Sequence, residues 1–121
     1  MTDRTLTTDH HQHASGAVIV TVTGELDHHT ASELTQVVQE ISFAPDTPVV
    51  IDMTGLTYCD STGITVLITA HNRAEQARSP LVLAGLNKDL RHVLRIVGLD
   101  QIFTFQPTAD DAVRSLYTTK E

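Results

Sequence analysis

At 121 residues and 13.2 kDa the chain has the size of one ordinary domain, too short for a catalytic domain plus a regulatory one. Apolar residues make up 40%, enough for a packed core, whereas 4% aromatics without Trp exclude a stacking platform for bases or sugars. Eight basic against fifteen acidic residues give a formal charge of −7, which excludes a nucleic-acid partner from the expectations.

Residues 5–9 read as a short, threonine-rich edge strand, and His10-His11-Gln12-His13 through Gly16 as a turn. Residues 17–23 are β-branched almost throughout and predict a strand that Gly24 ends. Thr30-Ala31-Ser32-Glu33 fits a capping box, and Ala31, Leu34, Val37, Val38 and Ile41 then share one helical face. Pro45 and Pro48 close that helix, and residues 48–52 form a short apolar run suited to a buried central strand.

A connection over 53–60 leads to a second helix, 61–78, with Ile64, Leu67, Ile68, His71 and Ala74 as its inner stripe. Pro80 breaks it, and 81–84 is another buried strand. Asn87 caps a third helix lined by Leu90, Val93, Leu94 and Val97, with Gly98 at the left-handed stop. A brief strand at 102–105 and a final helix from Pro107-Thr108, with Ala112, Val113 and Leu116 inward, complete the series. Helical crossovers need parallel neighbours, so the expected fold is an α/β sheet with an antiparallel first strand. One domain covers residues 1–121, with fraying expected at 1–4 and 118–121.

The charge is unevenly spread. Residues 1–60 hold nine acids against Arg4 alone, −8, while 61–121 hold seven bases and six acids, +1. An acidic half of this kind is either a solvated surface or a face for a basic partner. Cys59 is the single cysteine, which excludes an internal disulfide and a multi-cysteine zinc site. Met1-Thr2-Asp3-Arg4 is followed by no apolar run, and no stretch nears the roughly 20 apolar residues of a membrane span. A cytoplasmic protein with no membrane partner is expected.

Few patterns support catalysis. His10, His11 and His13 lack cysteine partners and His-Glu-x-x-His is absent, so no metal site is expected. Cys59 stands where a Gly-x-Ser-x-Gly elbow would need its first glycine, and no phosphate-cradling glycine motif occurs. The informative segment is Asp60-Ser61-Thr62-Gly63-Ile64, which runs from a polar loop into the first turn of an apolar helix. One of these side chains suffices as the N-cap. The remainder leave an open helix N-terminus, where N–H groups of Thr62, Gly63 and Ile64 and the macrodipole favour added negative charge. Ser61 is chemically suited to phosphorylation there.

Gly24-Glu25-Leu26-Asp27-His28-His29-Thr30 and Asp60-Ser61-Thr62-Gly63-Ile64 resemble the two signature segments of bacterial anti-sigma factor antagonists of the STAS domain family. Val97-Gly98-Leu99 is similar to the family's glycine-leucine after the third helix, so the resemblance spans roughly residues 5–117. Thr62 replaces a frequent serine, and Tyr58 and Cys59 replace the usual Phe and Met.

The resemblance implies a single STAS-like α/β domain, a mixed sheet of four or five strands with about four helices packed mainly on one side. It also implies phosphorylation at Ser61, with Asp27, His28, Asp60, Ser61, Thr62 and Gly63 meeting the partner. The implied partners are an anti-sigma factor that is also an ATP-using serine kinase, and a serine phosphatase. Unphosphorylated antagonist would bind the anti-sigma factor and free a sigma factor for transcription, with no cofactor in this chain. A weak homodimer stays open. Two alternatives remain: a STAS subunit of a transporter or stress-sensing assembly, and an esterase using Ser61.

Overall fold

The computed structural model describes residues 5–117. The ends expected to fray, 1–4 and 118–121, lie outside the described residues. In chain order the elements are β1 (Leu6–Gln12), β2 (Val18–Leu26), α1 (Ala31–Glu40), β3 (Val49–Cys59), α2 (Ser61–Ala77), β4 (Leu81–Ala84), α3 (Lys88–Ile96), a 3-10 turn (Leu99–Gln101), β5 (Thr104–Gln106) and α4 (Ala109–Tyr117).

The five strands form one sheet in sequence order, with β1 antiparallel to β2 and every other pair parallel. Because the order never reverses, right-handed crossovers put α1, α2 and α3 on the same face. Leu34, Leu67, Leu90 and Leu94 from these helices pack there with Val20, Val22, Ile51 and Leu83 from the strands. Strand alternation sends Ile19, Val50 and Val82 to the opposite face, where Ala112 of α4 covers them. The mixed sheet with helices mainly on one side is therefore as expected.

Four local expectations are corrected. His10, His11 and Gln12 belong to β1, paired with Val20, Ile19 and Val18, and the turn is confined to residues 13–16. Gly24 does not end β2. Its φ of 111° lets the strand continue, and Glu25 N–H donates to Thr5 O at 2.9 Å. Residues 53–59 are strand rather than connection. Two register shifts against β2, between Thr21 and Thr23 and between Gly24 and Glu25, break the period-two pattern that would have marked them. Finally, α3 buries Leu90 and Leu94 but leaves Val93 and Val97 exposed.

The inner stripe of α2 is also rotated. Gly63, Val66, Leu67, Ala70 and Ala74 are buried, while Ile64, Ile68 and His71 are half-buried at its flank. Small residues on this face let α2 lie close to the sheet. Arg78 ends the helix at φ 57°, and Ser79 N–H donates to Ala74 O at 2.8 Å.

Candidate functional site

Strands β2 and β3 run parallel and end together, with Leu26 opposite Cys59. Both signature segments therefore leave the sheet side by side at the carboxyl edge of parallel strands, where open α/β sheets place their binding sites. Asp60 N–H donates to Leu26 O at 3.1 Å and ties the second segment to the first.

Asp60 is the N-cap of α2. Its Oδ1 accepts from Gly63 N–H at 3.0 Å, and its carbonyl accepts from Ile64 N–H at 3.0 Å. Two of the three N–H groups expected to await a phosphate are thus already taken. Those of Ser61 and Thr62 have no acceptor among the described residues. Asp60 Oδ2 lies 3.9 Å from Nδ1 of exposed His28, an ion pair when the imidazole is protonated. Ser61 is the first residue of the helix and is exposed. Among the described residues its hydroxyl makes no hydrogen bond to a histidine or carboxylate.

Asp27 departs from expectation. The resemblance puts it among the residues that meet the partner, yet Asp27 is 2% exposed. Its Oδ1 accepts from His29 N–H at 2.9 Å and Thr30 N–H at 3.1 Å, folding the loop over its own side chain. Thr30 forms no capping box. Its hydroxyl donates to Glu25 O at 2.7 Å and accepts from Asp27 N–H at 3.0 Å. The loop is closed by an Asp27–Thr30 exchange before α1 begins. What it presents outward is His28 and His29, whose rings lie 4.0 Å apart.

Gly63 is buried, and a Cβ there would sit 2.7 Å from Leu26 Cγ and 2.8 Å from Cys59 Sγ. Glycine at this position lets the first turn of α2 rest on the ends of β2 and β3. Burial, with the Asp60 charge adding, pushes the Cys59 thiol up to about 12, so it stays neutral at physiological pH. Of the expected contact residues, His28, Asp60, Ser61 and Thr62 offer surface, whereas Asp27 and Gly63 shape it from beneath. Tyr58, read from sequence only as an apolar replacement, is 44% exposed beside them. The register shift in β3 turns it outward, a local irregularity without a sequence signal.

Residues 8–112 match the STAS domain family, a span that contains both segments and all of the sheet except the first two residues of β1. The chain belongs to the STAS domain family. This STAS domain is 35% identical over 81 residues to the anti-sigma-B factor antagonist of Listeria monocytogenes, covering 67% of this chain and 71% of the relative. It is 27% identical over 106 residues to the anti-sigma F factor antagonist of Paenibacillus polymyxa, covering 87% and 88%. Among solved structures, an anti-sigma factor antagonist from Mycobacterium paratuberculosis superimposes with a TM-score of 0.83 at 26% identity, over 94% of this chain and 96% of that one. Among the described residues no helix is long and apolar enough to cross a membrane.

Proposed function

We propose that this STAS domain is a cytoplasmic anti-sigma factor antagonist whose binding is switched by phosphorylation of Ser61. The observation that carries the reading is an exposed serine hydroxyl at the first residue of α2, directly after a capping carboxylate, at the joined ends of two parallel strands. The names of the similar relatives support the class of partner. The partner is an anti-sigma factor with serine kinase activity, and a serine phosphatase resets the switch.

In the transfer, Ser61 Oγ forms a bond to the γ-phosphorus of the partner's ATP as the bond to the β-phosphate oxygen breaks. ADP leaves, and the hydroxyl proton passes to a base of the kinase. This chain therefore needs no general base beside Ser61, and it acts as substrate rather than enzyme.

Phosphorylation adds about −1.5 to −2 charge. The macrodipole and the Ser61 and Thr62 N–H groups favour that charge by roughly 0.3–1 kcal/mol, while the Asp60 carboxylate opposes it. The opposing terms leave the fold nearly unchanged. A partner surface shaped for a neutral hydroxyl must accommodate a bulky dianion, which costs several kcal/mol without a matching donor.

The test is the affinity of Ser61→Ala and Ser61→Asp for the anti-sigma factor. Ser61→Ala is expected to bind like the wild type and Ser61→Asp at least tenfold more weakly. Equal binding by Ser61→Asp would contradict the switch.

A further inference from the structure

At about 100° per residue, α3 divides into three sectors. Leu90 and Leu94 face the core. Lys88, His92 and Arg95 form an exposed basic sector, in a protein of net charge −7. Val93, Ile96 and Val97 share the remaining arc with exposed Asp89 of the first turn and are 42%, 69% and 57% exposed. A merely solvated helix would carry polar residues at all of these positions, whereas three of the four are apolar.

Across from this arc stands Tyr58. Between them lies a groove of about 160 Å³, lined by Leu56, Tyr58, Cys59, Leu90 and Val93 and edged by the polar Thr57, Asn87 and Asp89. Val93 has Ile96 and Val97 as its i+3 and i+4 neighbours, so the apolar surface runs out of the groove along the helix. Apolar surface rimmed by charge marks a protein contact.

The Ser61 end needs such a feature. Its outward residues, His28, His29, Ser61 and Thr62, are polar, whereas interfaces draw most of their affinity from apolar and aromatic anchors. Tyr58 and Cys59 join the groove to Asp60 and Ser61 without an intervening residue. A footprint of ordinary size, about 800 Å² on each partner, centred on Ser61 reaches the groove. The groove and the arc by themselves are small against the roughly 1,200 Å² that a stable pairing of two copies would bury.

We infer that the groove between Tyr58 and α3 is the apolar anchor of the interface that Ser61 switches. It receives an apolar side chain of the anti-sigma factor, from a segment with acidic residues facing Lys88, His92 and Arg95. This inference rests on the function proposed above. Charge complementarity sets the orientation, since the partner must present acid to Lys88, His92 and Arg95 and a basic or neutral group to Asp60 and Asp89.

The test measures binding of the full chain to the purified anti-sigma factor from the same genome. The variants are Tyr58→Ser, Val93→Asp with Ile96→Ser, Ser61→Asp, and Tyr117→Ser as a control on α4. All five substituted residues are exposed, and melting curves check that each variant is folded. Both groove variants are expected to lose roughly tenfold or more in affinity, with Tyr117→Ser unchanged.

Groove variants that bind like the wild type, while Ser61→Asp does not, would overturn the anchor and leave the switch standing. No wild-type binding, or full binding by Ser61→Asp, would overturn the switch, and the anchor with it. An equal loss in Tyr117→Ser would show unspecific apolar adhesion and overturn the anchor. So would a wild-type dimer at micromolar concentration that the groove variants dissolve, because the face would then belong to a second copy.

Discussion

Buried to 2% exposure, the Asp27 carboxylate holds its loop through the N–H groups of His29 and Thr30. Asp27→Asn keeps one acceptor but loses the charge and brings a buried amide donor into the loop. The expected cost is about 1–2 kcal/mol, the size of a lost helix cap. Differential scanning calorimetry should show a Tm roughly 4–10 °C lower. Unchanged melting would mean that the loop does not depend on the carboxylate. The sequence marks Asp27 as important without saying why, because burial depends on a loop folding onto itself. Cys59 provides a second check at this scale. With its thiol raised from 9.0 to about 12, chiefly by burial and then by Asp60, its thiolate is about a thousandfold rarer at pH 8 than in an ordinary thiol. Alkylation of the native chain should be correspondingly slow and become fast on unfolding. The folded state holds the proton more tightly, so this group's contribution to stability is complete below pH 9 and is lost as pH rises towards 12. Rapid alkylation of the folded protein would contradict the burial.

The first turn of α2 couples helix and sheet through one missing methyl group. Gly63→Ala should raise helix propensity by up to about 1 kcal/mol. The added Cβ meets Leu26 Cγ at 2.7 Å and Cys59 Sγ at 2.8 Å, and overpacking of this kind costs about 1–3 kcal/mol. Urea unfolding should therefore show net destabilisation, partly relieved in the Gly63→Ala, Cys59→Ala double variant. A stabilised single variant would mean that α2 does not rest on these strand ends. From sequence Gly63 looked like open surface at a helix start, since a glycine packed against a neighbour and one facing water are written alike. The strands show the same limit. The β-branched run of β2 and the apolar runs of β3 and β4 were legible, but β2 and β3 extend past theirs. Their ends, Gly24–Leu26 and Met53–Cys59, are polar or glycine-containing and joined across shifted registers. In α3 the periodicity identified the helix, yet it could not distinguish Leu90 and Leu94, which face the sheet, from Val93 and Val97, which do not.

Over the whole molecule, alternating helices and strands already implied parallel crossovers, and the structure brings the two signature segments to adjacent strand ends. The charge imbalance between −8 and +1 halves is a global property and has a global test. If the acidic half steers a basic partner, the association rate should fall as salt rises from 20 to about 150 mM, where screening acts over about 8 Å. A flat rate would make that charge only a solvated surface. The central claim is narrower and concerns a single oxygen atom. Incubating the chain with its anti-sigma kinase and ATP, and mapping the product by tandem mass spectrometry, reads it directly. One phosphoryl group on Ser61, none on neighbouring Thr62, and no modification of Ser61→Ala are expected. Phosphorylation of Ser61→Ala at the wild-type level would contradict the account.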